Sequence, residues 1–470
     1  MTSNEGPIMT VTRTEPVPPV LTARRRWSIL AVCSAAMFLV GMDTTIVNIG
    51  LPAIGAGLDV GVRGLEWTVD AYTLVLASLL ITSGALADRF GRRRVFRIGL
   101  GVFGIASLLC AVAPTAGVLI AARIGQGVGG SMLSPVALAI VVNAITDPKQ
   151  RAQAIGIWAS VFGLSMAAGP VIGGALISGL GWRSVFWINA PIIVIALVLS
   201  AKVLPESRAA QARRLDIPGQ VLLILMVGAS VAVLIEGPHI GWTTPLTLAG
   251  YVVIIAAAIA FAYIEPKRPA PLMDLRLFRR PTFSAAVLGA VAIFVALNAT
   301  LLINTLYLQH ARGMSPAEAG IFTLPMAFGA TFCAPLAGYL VGRFGPRMPL
   351  TLAGGFIATG GLCLLDLTTD TGTPQLLLSY LLIGVGFGFA NAPITNTAVN
   401  GLPPAQSGVA GGITSTARQF GAALGIAIAG GLISGASPDR LAQVSHPAWM
   451  LVAACGVLLL AVAWASPKPA

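Results

Sequence analysis

The chain has 470 residues, 56% of them hydrophobic and only 10% charged, with a mean hydropathy of +0.86. Soluble domains carry roughly a quarter charged residues, so a water-soluble globule is excluded and a polytopic membrane protein is expected. The formal charge of +12 sits on Lys and Arg scattered through short interruptions without interleaved aromatics, a pattern that fits lipid headgroups and excludes a nucleic-acid partner.

Residues 1–26 are polar and Pro-rich and end in Arg24-Arg25-Arg26. Such a start mimics a signal peptide, but the apolar run from Trp27 continues past Asp43 to Leu51, so a retained first helix and a cytoplasmic amino terminus are expected. Windows of about 20 apolar residues then give spans at 27–50, 66–87, 95–114, 117–144, 153–179, 184–204, 217–236, 245–264, 283–308, 318–341, 349–368, 374–399, 406–434 and 447–466. An even number of spans returns residues 467–470 to the cytoplasm. On this map 23 of the 29 Lys and Arg are cytoplasmic, counting Arg97 and Lys202 at the inner ends of their spans, four are external (Arg63, Arg183, Arg312, Arg440) and two lie deep within spans (Arg123, Arg418), the asymmetry expected of a correct topology. Cys33, Cys110, Cys333, Cys363 and Cys455 all fall in apolar runs, where packing is the expected role, and no metal or cofactor is implied.

Between the second and third spans lies Gly84-Ala-Leu-Ala-Asp88-Arg89-Phe-Gly91-Arg92-Arg93-Arg94, the most basic stretch of the chain. Gly84 and Gly91 suit a tight link, and Asp88 suits a cap or an ion pair with a neighbouring helix end. The stretch resembles the cytoplasmic signature G-x-L-x-D-R-x-G-R-R of the major facilitator superfamily, which makes it a gating loop. A degenerate copy, Gly338 to Arg347, follows 254 positions later, and 147–154 matches 403–410 at an offset of 256. Two six-helix bundles, 27–204 and 283–466, are therefore expected about a pseudo-twofold axis, with two extra helices in the linker 205–282. Fourteen helices in this all-α major facilitator fold resemble the architecture of the larger drug:proton antiporters of that superfamily.

Polar groups inside spans are costly, so each is a candidate for function. Asp43 lies in Asp43-Thr-Thr-Ile-Val-Asn48-Ile-Gly-Leu-Pro52, which resembles the first-helix signature D-x-T-I-V-N-x-A-L-P of the fourteen-helix antiporters; Arg123 lies in Arg123-Ile-Gly-Gln126-Gly-Val-Gly, similar to the fourth-helix element R-x-x-Q-G-x-G. At about 1.5 Å per residue Asp43 sits roughly 24 Å from the inner end of its helix and Arg123 about 9 Å below the outer end of its own, so the two fall within a few Å in depth and are expected to pair. By the same count Asp70 lies about 6 Å below the outer end of the second span and joins them. Asp43 is the expected proton carrier, Arg123 its counter-charge and Asp70 a third coupling group, against the alternative of a static pair that fixes packing. Gly163-Leu-Ser-Met166-Ala-Ala-Gly169-Pro170-Val-Ile-Gly173-Gly174 resembles the fifth-helix antiporter signature and offers a flat face for close helix approach that can seal the outer half of a cleft.

Candidate substrate contacts are Asn48, Tyr72, Gln126, Asn298, Asn304, Asn391, Asn396, Arg418 and Gln419, with Met42, Met166 and Phe162 as adaptable apolar surface and Met37, Met132, Met326, Phe38 and Phe328 as further members. Glu236 and Asp366 are expected to be solvated near the outer interface, and His239, His310 and His446 in external loops. No phosphate-binding G-x-x-x-x-G-K-[ST] occurs, so the driving force is expected to be an ion gradient, and an Asp beside an Arg suits protons better than a sodium cage. The resemblance implies a monomeric, non-enzymatic exporter of antibiotics or other amphipathic small molecules in exchange for H⁺, resident in the cell membrane. The alternatives are an uptake porter for a small metabolite and a non-transporting membrane receptor or scaffold.

Overall fold

The computed structural model describes residues 22–145, 147–208, 215–269, 271–400, 402, 404–437 and 440–466, and among them every regular element is a helix. In chain order these are α1 (Ala23–Leu58), α2 (Val62–Phe90), α3 (Arg92–Ala111), α4 (Ala116–Ser131), α5 (Ser134–Ala144), α6 (Pro148–Leu180), α7 (Ser184–Trp187), α8 (Asn189–Val203), α9 (Ile217–Ile240), α10 (Pro245–Ile264), α11 (Pro281–Leu306), α12 (Pro316–Phe322), α13 (Leu324–Phe344), α14 (Arg347–Leu362), α15 (Thr373–Val399), α16 (Pro404–Ile433), α17 (Leu441–Val444) and α18 (His446–Ala465).

Twelve helical stretches among the described residues are long and apolar enough to cross a membrane. The expected fifth and eleventh spans are shorter by this measure: the apolar stretch Leu164–Leu180 within α6, and α14 with 16 residues. The first span is longer than the sequence reading, because α1 runs through Pro52 and stops only where Asp59 adopts a left-handed conformation, φ 53°. Neighbouring helices and the apolar medium keep a helix intact at a proline that would end it in water. Elsewhere proline restarts a helix: Pro135 stands in the first turn of α5 after the break from α4, and Pro325 in that of α13 after α12.

Small residues set how closely the helices pack. α1 lies along α6, α11 along α16, α13 along α15 and α14 along α18. A Cβ at Gly425 would stand 2.6 Å from the Val295 carbonyl oxygen, so α16 and α11 approach backbone to backbone, as helices do where no water is expelled to drive association. Large apolar side chains such as Trp464, Leu246 and Ile259 point outward, the surface a bilayer covers.

The α9–α10 pair attaches to this body through α9, which packs on α2 and α16. Arg63 and Glu236 form an ion pair at 2.5 Å, Trp67 Nε1 donates to Glu236 at 2.9 Å, and Gln220 donates to the Ser78 carbonyl at 2.6 Å while accepting from Thr82. Glu236 is thus not free in solvent as the sequence reading had it: α9 carries it against α2, where it holds two partners.

A cavity of about 2000 Å³ lies between α1, α2, α5 and α6 on one side and α11, α13, α15 and α16 on the other. It reaches the end of the molecule where α2 meets α3, lined there by Asp88, Arg92 and Arg151, and its blind end lies at Thr45, Pro170 and Thr323. Beyond that blind end the two sides touch. Gln309 Nε2 donates to the Ile49 carbonyl at 2.8 Å and the Ala317 amide to Ser178 Oγ at 3.2 Å.

Candidate functional site

The turn at the open end is built around one residue. Gly91 has φ +109°, a conformation that strains any residue with a Cβ, and Arg92 begins α3 immediately after it. Asp88 accepts from Arg92 Nε at 3.1 Å and Nη2 at 2.9 Å, and Arg93 donates to the Ala201 carbonyl at 2.7 Å, fastening α2, α3 and the end of α8 together. The Arg89 guanidinium lies 5.4 Å from the Phe90 ring centre. Gly84 is not part of the turn: α2 continues through it to Phe90, and it lines the cavity mouth instead.

Deep in the first half, Arg123 and Asp43 form an ion pair at 2.6 Å with both side chains fully buried. Arg123 also donates to the Thr68 carbonyl (3.0 Å) and to Gln126 Oε1 (2.8 Å), and its guanidinium lies 4.3 Å from the Tyr72 ring centre. The second Asp43 oxygen accepts from Gln126 and Asn189, each at 3.3 Å, and both amides also reach Ser107. Five elements therefore converge on one pair of charges: α1, α2, α3, α4 and α8. In an apolar interior each charge is tolerable only with such partners, and removing one would strand the other.

The cavity has a different chemistry. Its wall is mostly apolar, and in the second half Asn391, Thr395, Asn396, Arg418 and Gln419 bring polar groups to it. Arg418, midway along α16, donates to Thr395 Oγ1 at 2.5 Å, and its Nε has no hydrogen-bond partner.

The Major Facilitator Superfamily profile matches residues 33–426. The chain belongs to the major facilitator superfamily. It is similar to the multidrug resistance protein Stp of Mycobacterium tuberculosis, 36% identical over 86% of this chain and 75% of that one, and to the methylenomycin A resistance protein of Streptomyces coelicolor, 35% identical over 86% and 85%. Among solved structures, the D-xylose–proton symporter shares the fold with a TM-score of 0.68 at 17% identity, covering 94% of this chain and 98% of that one. Superfamily members are transporters and not enzymes, and a small-molecule substrate follows from the relatives.

Within this facilitator fold the residues singled out in the sequence divide into three groups. Met37, Met166, Met326, Asn391, Asn396, Arg418 and Gln419 line the cavity. Asn48, Tyr72, Gln126, Met42, Asn298 and Asn304 do not, and all six are buried: Asn48 and Asn298 donate to the carbonyls of Thr44 and Phe294 on their own helices, Gln126 and Tyr72 surround the ion pair, and Met42 and Asn304 are packed in the interior. Phe328 is exposed on the outer surface. Phe162 and Gly163 fall on α6, and their side-chain surroundings lie outside what is described. Of the α6 glycines, a Cβ at Gly173 would stand 2.7 Å from Ile46 Cγ1, and Gly169 packs on Thr45, so both sit flat on α1. Gly174 faces the Pro316 carbonyl and the Pro170 carbonyl faces Gly320, which places this stretch at the blind end where the halves meet.

Asp70 departs from its expected place. It is fully buried but has no hydrogen-bond partner, and it does not join Asp43 and Arg123. One turn earlier on α2 lies Glu66, also fully buried with both oxygens unpaired and pressed against Gly430 of α16. Sequence reasoning missed Glu66 because it stands at the first position of the expected span. The i, i+4 spacing of two acids at the head of an apolar run was the available signal. Asn189 was missed as well, since an amide beside a helix start reads as a cap.

Proposed function

We propose that the chain exports antibiotics or other amphipathic small molecules in exchange for protons, by alternating access across the cell membrane. Fourteen helices cross, with both termini and the Gly84–Arg94 turn in the cytoplasm, as two six-helix bundles (27–204 and 283–466) flanking a linker (205–282) that carries the extra pair, and the unit is a monomer. The observation that carries this reading is the cavity: large, mostly apolar, reaching the basic end and blind at the other, in a chain whose relatives are named for drug resistance. With the basic end in the cytoplasm, substrate enters from the inside and from the inner leaflet.

Asp43 is the proton carrier in this reading and Arg123 its counter-charge. In the conformation described the pair lies behind the cavity wall. Opening of the opposite end separates α1 and α6 from α12 and α13, admits water to the outer ends of α1 and α2, and lets the Asp43 carboxylate exchange its arginine for a proton. Glu66 and Asp70 lie one turn apart in the same outer half, Glu66 against Gly430 of α16, and are the groups through which that opening is felt, because it brings water to two buried acids that have no partners.

Expression in a drug-sensitive host, with D43N and R123A as controls, tests the reading. Raised resistance with the unaltered chain and none with either variant at equal membrane abundance is expected. Unchanged export by both variants would remove the proton-carrier role, and net uptake of the same compounds would replace export with import.

A further inference from the structure

The cavity's charge is one-sided. Asp88 is the only carboxylate among the described lining residues, and it stands at the mouth already paired with Arg92 at 2.9 Å. Arg151, also near the mouth, donates to the Ile145 carbonyl at 3.0 Å. Deeper in, Arg418 is the only charged side chain on the described wall, with Thr395 Oγ1 on one nitrogen and no partner on Nε. The groups around it, Asn391, Thr395 and Gln419, are neutral.

We propose that Arg418 is the recognition residue for the acidic group of the transported molecule, so that the substrate class is the amphipathic organic anion, a rigid apolar body bearing one carboxylate, sulfonate or phenolate, and not the lipophilic cation. The proposal rests on the export reading above and narrows it. A guanidinium in low-dielectric surroundings without a counter-charge attracts an anion strongly and repels a cation, because little water screens it. Its planar fork matches an oxyanion with two donors. The surrounding apolar wall takes the body of the molecule, and Met37, Met166 and Met326 adapt to its outline. A cation would find no carboxylate here to replace the water it loses.

The test uses two probes of similar ring and opposite fixed charge, 2-naphthalenesulfonate and 2-naphthyltrimethylammonium, titrated into the purified full chain in nanodiscs. Binding of the sulfonate at least tenfold tighter than the ammonium is expected. R418Q should weaken the sulfonate by about ten- to a hundredfold, the range for hydrogen bonds to a charged group, and abolish the preference, while R418K keeps part of it. Unchanged thermal unfolding of R418Q and R418K would show that the loss is local. Equal or tighter binding of the ammonium, no binding of either probe, or sulfonate binding unaltered in R418Q would overturn the assignment. Efflux of cationic drugs without sulfonate binding would overturn the substrate class and leave export standing; sulfonate preference in a chain that raises no resistance would uphold the class and remove export.

Discussion

Two arginines lie inside this membrane protein, and their surroundings are opposites. Arg123 is enclosed by Asp43, Gln126, the Thr68 carbonyl and the Tyr72 ring, with no access to the cavity. Arg418 stands on the cavity wall with one hydroxyl and no carboxylate. The contrast separates two uses of an expensive charge. A neutralised pair in packing stores an equilibrium between paired and separated states, whereas an unneutralised charge on a wall awaits a ligand. Residue type is the same in the two cases, and the partners differ.

The sharpest way to break this comparison is to truncate both arginines and measure stability. R123A strands the Asp43 carboxylate and should cost about 3–5 kcal/mol, while R418A removes a charge that has no carboxylate beside it and should be neutral or stabilising; chemical unfolding in one detergent checks both. Equal losses would erase the distinction. The pair D43N/R123Q should recover most of the stability lost in R123A and none of the transport, since both charges leave together. Recovery of transport would assign the pair to packing alone.

A smaller effect is expected at the seal. G173A places a methyl 2.7 Å from Ile46 Cγ1 and should cost about 1–3 kcal/mol by overpacking, with faster hydrogen exchange at the outer end of α1 as the readout. The smallest belongs to R63A, which removes a half-exposed ion pair to Glu236. There the change should stay within about 1 kcal/mol, which calibrates how little an ion pair contributes once water reaches it.

Depth was legible in the sequence and azimuth was not. Counting 1.5 Å per residue from the span ends brought Asp43 and Arg123 to one level, and the structure joins them. The same count says nothing about which way a side chain points. Asp43 and Thr45 are separated by about 200° around α1, so when Thr45 faces the cavity Asp43 must face the interior of its own half. Asn48, Gln126 and Asn298 were misplaced for this reason, each turned into packing and paired locally. Asp70 shows the reverse error: its level was read from the span end, but it lies one turn from Glu66 on α2 with no hydrogen-bond partner and does not join Arg123. The helices themselves were easier, because apolar length is a one-dimensional property, and even there the first span was ended at residue 50 whereas α1 continues through Pro52 to Leu58.

The central claim is that Asp43 exchanges Arg123 for a proton as the molecule changes the side to which it opens. It is tested most directly by recording internal pH in proteoliposomes of the purified chain while substrate is driven across. The account predicts that substrate moved by the unaltered chain draws protons the opposite way, and that D43N, still binding substrate, moves none. Proton movement in D43N equal to that of the unaltered chain would contradict it.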